Sequence, residues 1–479
     1  MRPLGVGLVY NSEFDPLFRE NNRDVSVLEL EPETLWDRTF PTSAGGSPVY
    51  IPNAFALQRI ADLPQHKLIH SVGFPVGGTA SLGTEHIAPL AAVATQMKAA
   101  WISEHLSFNA VDTEHGVKQA GFLLPPRQTR AGAEVAVQNI RQLSGAMPVP
   151  FAFETGVNYL QPRSEELNDG EFFAAIAEGA DCGILLDLHN LWANERNGRQ
   201  RVADVLDTLP LERVWELHLA GGMTLGGYYL DSHSDAIAPE LIDVASRVIP
   251  RLPNLGAILF EMLPGYLGTA GIDVVRNQLP VLRDLWKLRQ PQEVRIRDRR
   301  MRGALDGMSS GDADVREWER TLTLLALGIH NESRGSSLSS LAGDPGTEIF
   351  RTLIHEARSA RISRALHFTM TLLLLHVGPA TVRTLLEEYQ AGWSPDVFTS
   401  AEADAFAKFL WARIDRLRDV PFLSEVLTFE YAMIRATLYG ASSRVDWHHD
   451  PAALFESLER GELPSIIPSV EFSMEIRPS

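Results

Sequence analysis

Short apolar runs rich in β-branched residues alternate with amphipathic stretches along residues 1–290. Eight of the runs have the length and composition of strands: Val6–Tyr10, Val25–Glu31, Lys67–Val72, Trp101–Phe108, Pro150–Glu154, Gly183–Leu188, Val214–Leu219 and Ala257–Glu261. Helical stretches lie between them: Ile87–Ala99, Ala131–Leu143, Gly170–Glu178, Pro239–Ile249 and Val274–Lys287. Alternating strand–helix units in this number favour a closed (β/α)8 barrel of the TIM type over an open sheet.

The pattern changes after residue 290. Residues 291–303 form a basic, polar stretch that predicts a linker. Beyond it, residues 304–479 predict a smaller, mainly α-helical domain, with helices over Trp318–Ile329, Glu348–Val377, Ala380–Tyr389, Ala401–Asp415 and Leu423–Leu438 and a strand over Ile466–Ile476. A chain of 479 residues is too long for one compact core, which also favours two domains.

Side chains able to bind metal ions lie at or just beyond the ends of the predicted strands. They are His70, His105, Glu154, Asp187, His189, His218, Asp231, His233 and Glu261. Because the C-terminal ends of barrel strands meet at one face, we expect these side chains to converge there. Imidazole and carboxylate bind borderline divalent metals and non-haem iron. One ion does not need so many ligands, so the sequence predicts a cluster of about two or three ions at the barrel mouth.

Strand alternation supports this placement. Glu104 and His105 must project from opposite faces of their strand, so at most one faces the interior, and we assign His105. By the same rule Glu216 and His218 share a face. The cluster Asp446-Trp-His-His-Asp450 also contains metal-binding residue types, but its composition favours a turn with an exposed histidine pair.

Composition narrows the function classes. The formal net charge of −18 argues against a nucleic-acid partner, since such proteins usually present a basic face. The one cysteine, Cys182, cannot form an intramolecular disulfide, and Met1–Asn11 lacks a signal-peptide pattern, which together predict a cytoplasmic protein. The apolar run Thr371–Val377 is too short to cross a membrane, so we expect no membrane partner.

The order of the candidate ligands resembles two groups of barrels. One is the trinuclear zinc barrel of the endonuclease IV type. The motifs are closer to the multinuclear non-haem iron-dependent oxygenases, the family of the methanobactin-type peptide-modifying enzymes: HSVGFPVGG at His70, SEHLSF at Ser103, LLDLHNLW at Leu185, HLAGG at His218, DSHSD at Asp231 and FEML around Glu261. Asn190, three residues after Asp187, stands where the endonuclease has histidine. This position favours the oxygenases.

The resemblance implies a TIM-type barrel that holds iron and modifies a ribosomally made precursor peptide. It implies two or three ions of mixed Fe(II) and Fe(III), with O2 as co-substrate and zinc as the alternative metal. The substrate residue in this family is often cysteine, bound through its thiolate while O2 is reduced nearby. The implied metal ligands are His70, His105, Glu154, Asp187, Asn190, His218, Asp231, His233 and Glu261. His189 is left as either a tenth ligand or a catalytic residue that transfers a proton.

The chain departs from the family pattern at three strand ends. The family's Glu-Asn after strands two and five is here Glu33-Thr34 and Glu154-Thr155, and its Glu-Trp-Asp at strand eight is Glu261-Met-Leu. In the C-terminal region, Val420–Ala436 is similar to a helix of the small partner proteins that present the peptide to these oxygenases. The similarity implies a fused partner domain, so that a separate partner protein is unnecessary. A helical dimerisation or stabilising domain is the alternative.

Three other functions stay open from the residues. A zinc phosphodiesterase would turn over without O2, and the acidic charge and Asn190 speak against it. A sugar isomerase on the same barrel would need a lysine near the metals, which no motif supplies. A non-catalytic protein that binds metal or peptide would yield no O2-dependent product.

Overall fold

The computed structural model describes residues 1–20, 25–40, 48–80, 83–114, 116–267, 271–290, 311–329, 338–464 and 466–478. The predicted linker, residues 291–303, lies outside the described residues. Eight parallel strands form a ring: β1 Gly5–Val9, β2 Val27–Leu30, β3 His66–Ser71, β4 Ile102–His105, β5 Phe151–Glu154, β6 Gly183–Asp187, β7 Val214–Leu225 and β8 Ala257–Glu261. Each strand pairs with the next in sequence, and β8 pairs with β1, which closes the barrel. The TIM-type barrel and all eight predicted strands are confirmed.

Helices of the barrel region cover the outside of the ring. Their bounds are Asp15–Glu20, Ala54–Ala61, Ile87–Met97, Arg130–Ala146, Asp169–Ala180, Leu188–Arg196, Val202–Thr208, Pro239–Val248 and Asp273–Trp286. Local signals fix their ends. Helix Asp169–Ala180 begins with a capping box between Asn168 and Glu171 and ends where Asp181 adopts a left-handed φ of 54°. Its apolar face, including Phe172 and Ile176, packs into the layer between helices and strands.

The inside of the barrel is apolar at its lower end. Val27, Leu68, Trp101, Ala152, Trp215, Ala257 and Leu259 fill it. Trp101 and Trp215 meet there with ring centroids 6.5 Å apart. These side chains close the barrel from below, so polar groups of the strands face each other only nearer the C-terminal end.

Three antiparallel ribbons rise above this end. They are Trp36–Thr39 with Val49–Pro52, Phe108–Thr113 with Gly116–Leu124, and the end of β7 with Tyr228–Asp235. None was predicted as a ribbon. The motif DSHSD therefore lies on an antiparallel strand above the barrel, whereas the sequence pattern placed it at the end of a barrel strand.

The C-terminal region is mainly helical, as predicted. Its helices are Gly311–Ala326, Leu338–Ala342, Pro345–Ala365, His367–Gly392, Thr399–Trp411, Leu423–Tyr439 and Pro451–Glu459, and Ser443–His449 pairs with Ser469–Ile476. The turn predicted around Asp446–Asp450 is wrong, because those residues continue the strand. There His449 Nδ1 lies 2.7 Å from Glu425 Oε1, and Asp450 caps the following helix.

Among the described residues, one helix is long and apolar enough to span a membrane by length and composition, His367–Gly392. Gly378, with φ 80° and ψ 163°, and Pro379 break it. Neither half then reaches the length of about 20 residues that a span requires. Leu372, Leu373 and Leu386 from the two halves pack into a core within the helical region.

A second core joins the barrel to the helical region, and we name it the shared core. Its members are Phe108, Val111, Ala120, Leu124, Tyr159, Leu160 and Leu230 from the barrel loops and Trp318, Leu322, Leu325, Ala326, Leu341, Ile349, Phe350 and Ile354 from the helices. Contact is close at Gly346, since a Cβ there would lie 2.2 Å from the Tyr159 carbonyl oxygen. Glu319 also accepts hydrogen bonds from Thr79, on the loop after β3.

Substitution of Trp318 by alanine should destabilise the whole protein. Trp318 is 1% exposed in the shared core, and loss of a buried Trp side chain typically costs about 3–5 kcal/mol. Guanidinium unfolding followed by circular dichroism measures the change. Phe472→Ala is the control, because this side chain is 47% exposed and outside the shared core. Equal stability of the two variants would contradict the shared core.

The carboxyl group of Glu319 predicts a pH dependence of stability. Burial raises its pKa from 4.5 to about 7. The native protein therefore keeps a proton that the unfolded chain has lost, so this contribution is present below pH 4.5 and is lost as the pH rises through about 7. Glu319→Gln cannot titrate. Its melting temperature should rise relative to wild type between about pH 5 and pH 8, as scanning calorimetry can measure. Exposed Glu387→Gln should show a constant difference, and a constant difference for Glu319→Gln would refute the prediction.

Candidate metal centre

The structure brings all ten predicted side chains together at the C-terminal end of the barrel. Nine of them, all except Asn190, fall into overlapping groups in which one ligand atom from each residue lies within 4.8 Å of the others. The groups share Glu154 and Asp187. Their role as metal ligands stays a prediction, and the geometry can be described group by group.

The first group joins β3, β4 and β5. His105 Nδ1 and His70 Nε2 lie 2.5 Å and 3.2 Å from the same oxygen of Glu154. Ser103 Oγ, 2.8 Å from His70 Nδ1, fixes the ring of His70. Glu104 points elsewhere and accepts the backbone N–H of Phe74, so the structure agrees with the choice of His105 over Glu104.

The central group contains Glu154, Asp187 and His218. His218 Nδ1 lies 3.9 Å from Glu154 Oε1 and 3.3 Å from Glu261 Oε2. Glu261 in turn lies 3.0 Å from His233 Nδ1. Glu154 therefore connects the central group to the first, and Glu261 connects it to the third.

The third group contains His189, Asp231 and His233. Asp231 Oδ1 lies 3.1 Å from His189 Nδ1 and 2.7 Å from His233 Nε2. His233 has a left-handed φ of 45°, and its Nδ1 faces Glu261 on β8. The Asn190 amide reaches the same carboxylate, 2.8 Å and 3.2 Å from its oxygens. If the Asn190 amide nitrogen faces Asp231, it donates a hydrogen bond to the carboxylate. If the amide oxygen faces Asp231, the two oxygens repel unless a cation lies between them.

The first turn of helix Leu188–Arg196 positions Asp187 and Asn190. Asp187 caps helix Leu188–Arg196 by accepting the backbone N–H of Asn190 at 2.7 Å. His189, in the first turn, is directed toward Asp231. Thr155, where the family has asparagine, accepts the backbone N–H of Asp187 through its hydroxyl at 3.0 Å. The residue that departs from the pattern thus positions a candidate ligand.

The pKa values of the buried carboxyl groups differ according to which charged side chains lie next to them. Burial alone would raise the pKa of Glu154, but the imidazoles of His105 and His70 hold it well below the usual range. Burial would likewise raise the pKa of Glu261, but the imidazoles of His233 and His218 hold it well below the usual range. In contrast, burial and then the charges of Asp231 and Glu154 raise the pKa of Asp187. The carboxylates next to imidazole are therefore ionised and able to bind a cation.

The sequence analysis assigned no role to a second set of acids that lies behind the first group. Burial raises the pKa of Glu31 and of Glu33 to about 7 and that of Glu104 to about 8. Glu33 accepts the hydroxyl of Ser71 at 2.6 Å. Two further acids, Glu29 and Glu216, are buried beneath His218. The available signal was the alternation Glu29, Glu31, Glu33 in and after an otherwise apolar strand.

Buried atoms without hydrogen-bond partners show how the site fits a metal cluster. Among the described residues His189 Nε2 has no polar partner at all. His218 Nδ1, His233 Nε2 and Glu154 Oε2 contact only other candidate ligands. Such atoms cost free energy unless something binds them. Imidazole nitrogens and carboxylate oxygens together suit iron or zinc. The donor set therefore fits a multinuclear centre of either metal.

Two hollows adjoin the centre. A cavity of about 90 Å³ reaches His105, Asn190 and Asp231 and is otherwise mostly apolar. A groove of about 710 Å³ runs from Glu33 and Gly73 between the barrel and helices Pro345–Ala365 and Leu423–Tyr439. Both are lined by Phe122 and Leu123. The ribbon that carries these two residues therefore borders both hollows.

Comparison with solved structures finds barrels of low similarity. A D-psicose 3-epimerase from Clostridium cellulolyticum H10 is 10% identical, with a TM-score of 0.38 over 59% of this chain and 97% of the other. A xylose isomerase domain-containing protein of Salmonella typhimurium LT2 is 13% identical, with a TM-score of 0.40 over 58% and 97% of the two chains.

Sequence relatives are closer and align with part of this chain. A UPF0276 protein of Chromobacterium violaceum is 31% identical over 228 residues, 47% of this chain and 79% of the relative. One from Anaeromyxobacter sp. is 27% identical over 236 residues, 48% of this chain and 80% of the relative. One from Streptomyces avermitilis is 30% identical over 193 residues, 40% of each chain.

A family model covers more than half of the chain. It describes the RiPP precursor modification enzymes MbnB/TglH/ChrH, which act on precursors of ribosomally synthesised, post-translationally modified peptides, and it matches residues 5–262. This match spans every barrel strand and every candidate ligand described above. It confirms the family resemblance that the motifs indicated. The chain therefore belongs to the family of RiPP precursor modification enzymes.

Proposed function

We propose that this protein is an O2-dependent iron oxygenase that modifies a residue, by family resemblance a cysteine, of a ribosomally made precursor peptide. The observation that carries the proposal is the set of overlapping ligand groups at the barrel mouth, joined through Glu154 and Asp187. One carboxylate shared between groups is the arrangement that holds neighbouring ions a few ångströms apart.

Each group is assigned to one ion. His70, His105 and Glu154 bind the first, Glu154, Asp187, His218 and Glu261 the central one, and His189, Asp231, His233 and Asn190 the third. His189 acts here as a ligand, because its Nδ1 lies beside Asp231 and its Nε2 is buried without a partner. A bound iron centre supplies the reduction of O2 that the reaction requires.

The chain's own residues would exclude water and orient the substrate. Tyr159 accepts the backbone N–H of Asp231 at 3.0 Å and packs on Phe350 of the helical region at 5.3 Å between ring centroids. The small cavity beside His105 and Asn190 is mostly apolar, which suits a short side chain such as that of cysteine. Orientation of that side chain next to the metals supplies much of the rate.

The groove provides the path for the peptide. Its wall includes Met433 and Ile434 of helix Leu423–Tyr439, which overlaps the segment that resembles the partner proteins. Met433 is 48% exposed although it is apolar, and such surface favours a partner. Arg361 and Arg364 add positive charge along the groove, which suits acidic groups of a peptide. The helical region is thus proposed as a fused peptide-recruiting domain.

Metal analysis of protein purified without chelators from iron-replete cells tests the cluster. We expect about two or three irons per chain, partly ferric by Mössbauer spectroscopy. His218→Ala and Asp231→Ala should each lose at least one ion, because each removes a donor from a different group. His376→Ala, on an exposed histidine of the helical region, should keep the full content.

Two results would contradict the iron assignment. One is unchanged metal content in both variants. The other is zinc with negligible iron and O2-independent cleavage of a phosphodiester such as bis-p-nitrophenyl phosphate, which would establish the hydrolase instead.

Substitution of Met433 by aspartate tests the groove. The protein is co-expressed in aerated cells with short peptides encoded beside its gene, and peptide masses are compared. We expect wild type to change the mass of one peptide and Met433→Asp to reduce that yield about tenfold or more, with metal content intact, because a charge in an apolar contact costs about 1–3 kcal/mol. Leu374→Asp is the matched control, since Leu374 is 43% exposed outside the groove. Equal yields from both variants would dismiss the recruiting role.

A further inference from the structure

A second polar layer lies directly beneath the candidate metal centre. It consists of Glu29 on β2, Glu216 on β7 and Trp101 just before β4, all at most 1% exposed. The Trp101 indole N–H donates to Glu216 Oε2 at 2.7 Å. Apolar side chains of the lower barrel surround the layer from below. Charged groups buried this deeply normally persist only with a structural or functional partner.

The partner of this layer is His218. Its Nε2 lies 2.9 Å from Glu29 Oε2 and 3.7 Å from Glu216 Oε1. Its Nδ1 faces the opposite way, toward Glu261 and Glu154. The two ring nitrogens therefore contact different groups: Nε2 contacts the acids below, and Nδ1 contacts the candidate ligands above.

A neutral imidazole has one N–H and one lone pair, and the neighbour of one nitrogen decides where the proton resides. A carboxylate at Nε2 favours the proton on that nitrogen, which leaves the lone pair of Nδ1 free. Carboxylates behind metal-bound histidines fix the ring orientation and increase its basicity in this way. The orientation of His218 fits this arrangement, because its Nδ1 faces the candidate ligands Glu154 and Glu261.

We infer that Glu29 is a positioning residue that holds His218 with its Nδ1 lone pair toward the central metal ion. Trp101 fixes Glu216, the second acid of the same layer. The inference rests on the proposed metal centre. It assigns to Glu29 a role that neither the candidate ligand set nor the position of a strand end indicated.

The rival arrangement is a further cation bound directly by Glu29, Glu216 and His218 Nε2, whose ligand atoms lie within 4.8 Å of one another. In that arrangement Glu216 would bind through Oε1, because the Trp101 N–H already occupies Oε2. The two arrangements differ in the number of ions that depend on Glu29.

Anaerobic titration of metal-free protein with Co(II) tests the inference, with the ligand-field spectrum and calorimetry as readouts. We expect Glu29→Ala to weaken one ion by about 10- to 100-fold and to alter its spectrum, without loss of stoichiometry at saturation. Glu29→Gln should restore part of the affinity, since an amide oxygen at the position of Glu29 Oε2, 2.9 Å from Nε2, can accept its proton. Glu430→Gln is the matched control, because Glu430 is a buried acid in the helical region that binds the backbone of Phe368 and Thr369.

Each other outcome overturns the inference in a distinct way. Unchanged affinity and spectrum in Glu29→Ala would show that Glu29 does not position the ring. Loss of one whole ion, with the remaining ions unaltered and no rescue by Glu29→Gln, would establish the further cation site. If Glu29→Ala does not fold, the spectrum of Glu29→Gln decides alone, because an unaltered spectrum and affinity there refute the inference. A wild type that binds no Co(II) would refute the proposed metal centre itself, apart from any effect of Glu29.

Discussion

The structure depends on how the barrel mouth compensates buried negative charge. Glu29, Glu33, Glu104, Glu154, Asp187, Glu216 and Glu261 are buried there, with Glu31 and Asp231 half-buried beside them. The imidazoles of His70, His105, His189, His218 and His233 are fewer than these acids. Buried charges without compensation are expensive, so the protein must keep several acids protonated or bind cations. The raised pKa values at Glu31, Glu33 and Glu104 reflect the first response, and the convergence of the candidate ligand atoms fits the second.

The helical region supports the centre through contacts with the barrel loops, although it contributes no candidate ligand among the described residues. Phe350 supports Tyr159, which holds the backbone at Asp231, and Glu319 binds the loop that follows His70. Both contacts adjoin the shared core. The predicted boundary after residue 290 divides the sequence pattern, whereas the apolar packing of the shared core joins residues on both sides of that boundary. The part of the region from Ile362 onward forms its own core.

Local patterns in the sequence were sufficient for the barrel and for the convergence of the candidate ligands. The strands are buried on both sides and therefore read as apolar runs, and a parallel barrel brings their ends to one face. The pattern failed where position depends on long-range packing. Asp231 and His233 lie on an antiparallel ribbon whose partner is the end of β7. Glu29 lies within a strand, and its value becomes visible only when His218 from β7 is placed opposite it.

The shared core has a kinetic consequence for the proposed capture of a peptide. When a recruiting protein is separate, enzyme, recruiter and peptide must meet, and dilution separates them. Here the helices that wall the groove are covalently continuous with the barrel, so their effective concentration at the barrel face is unaffected by dilution. Binding of a peptide in the groove then involves two molecules, the peptide and this protein. Occupancy becomes a hyperbolic function of peptide concentration alone, without dependence on the amount of a second protein.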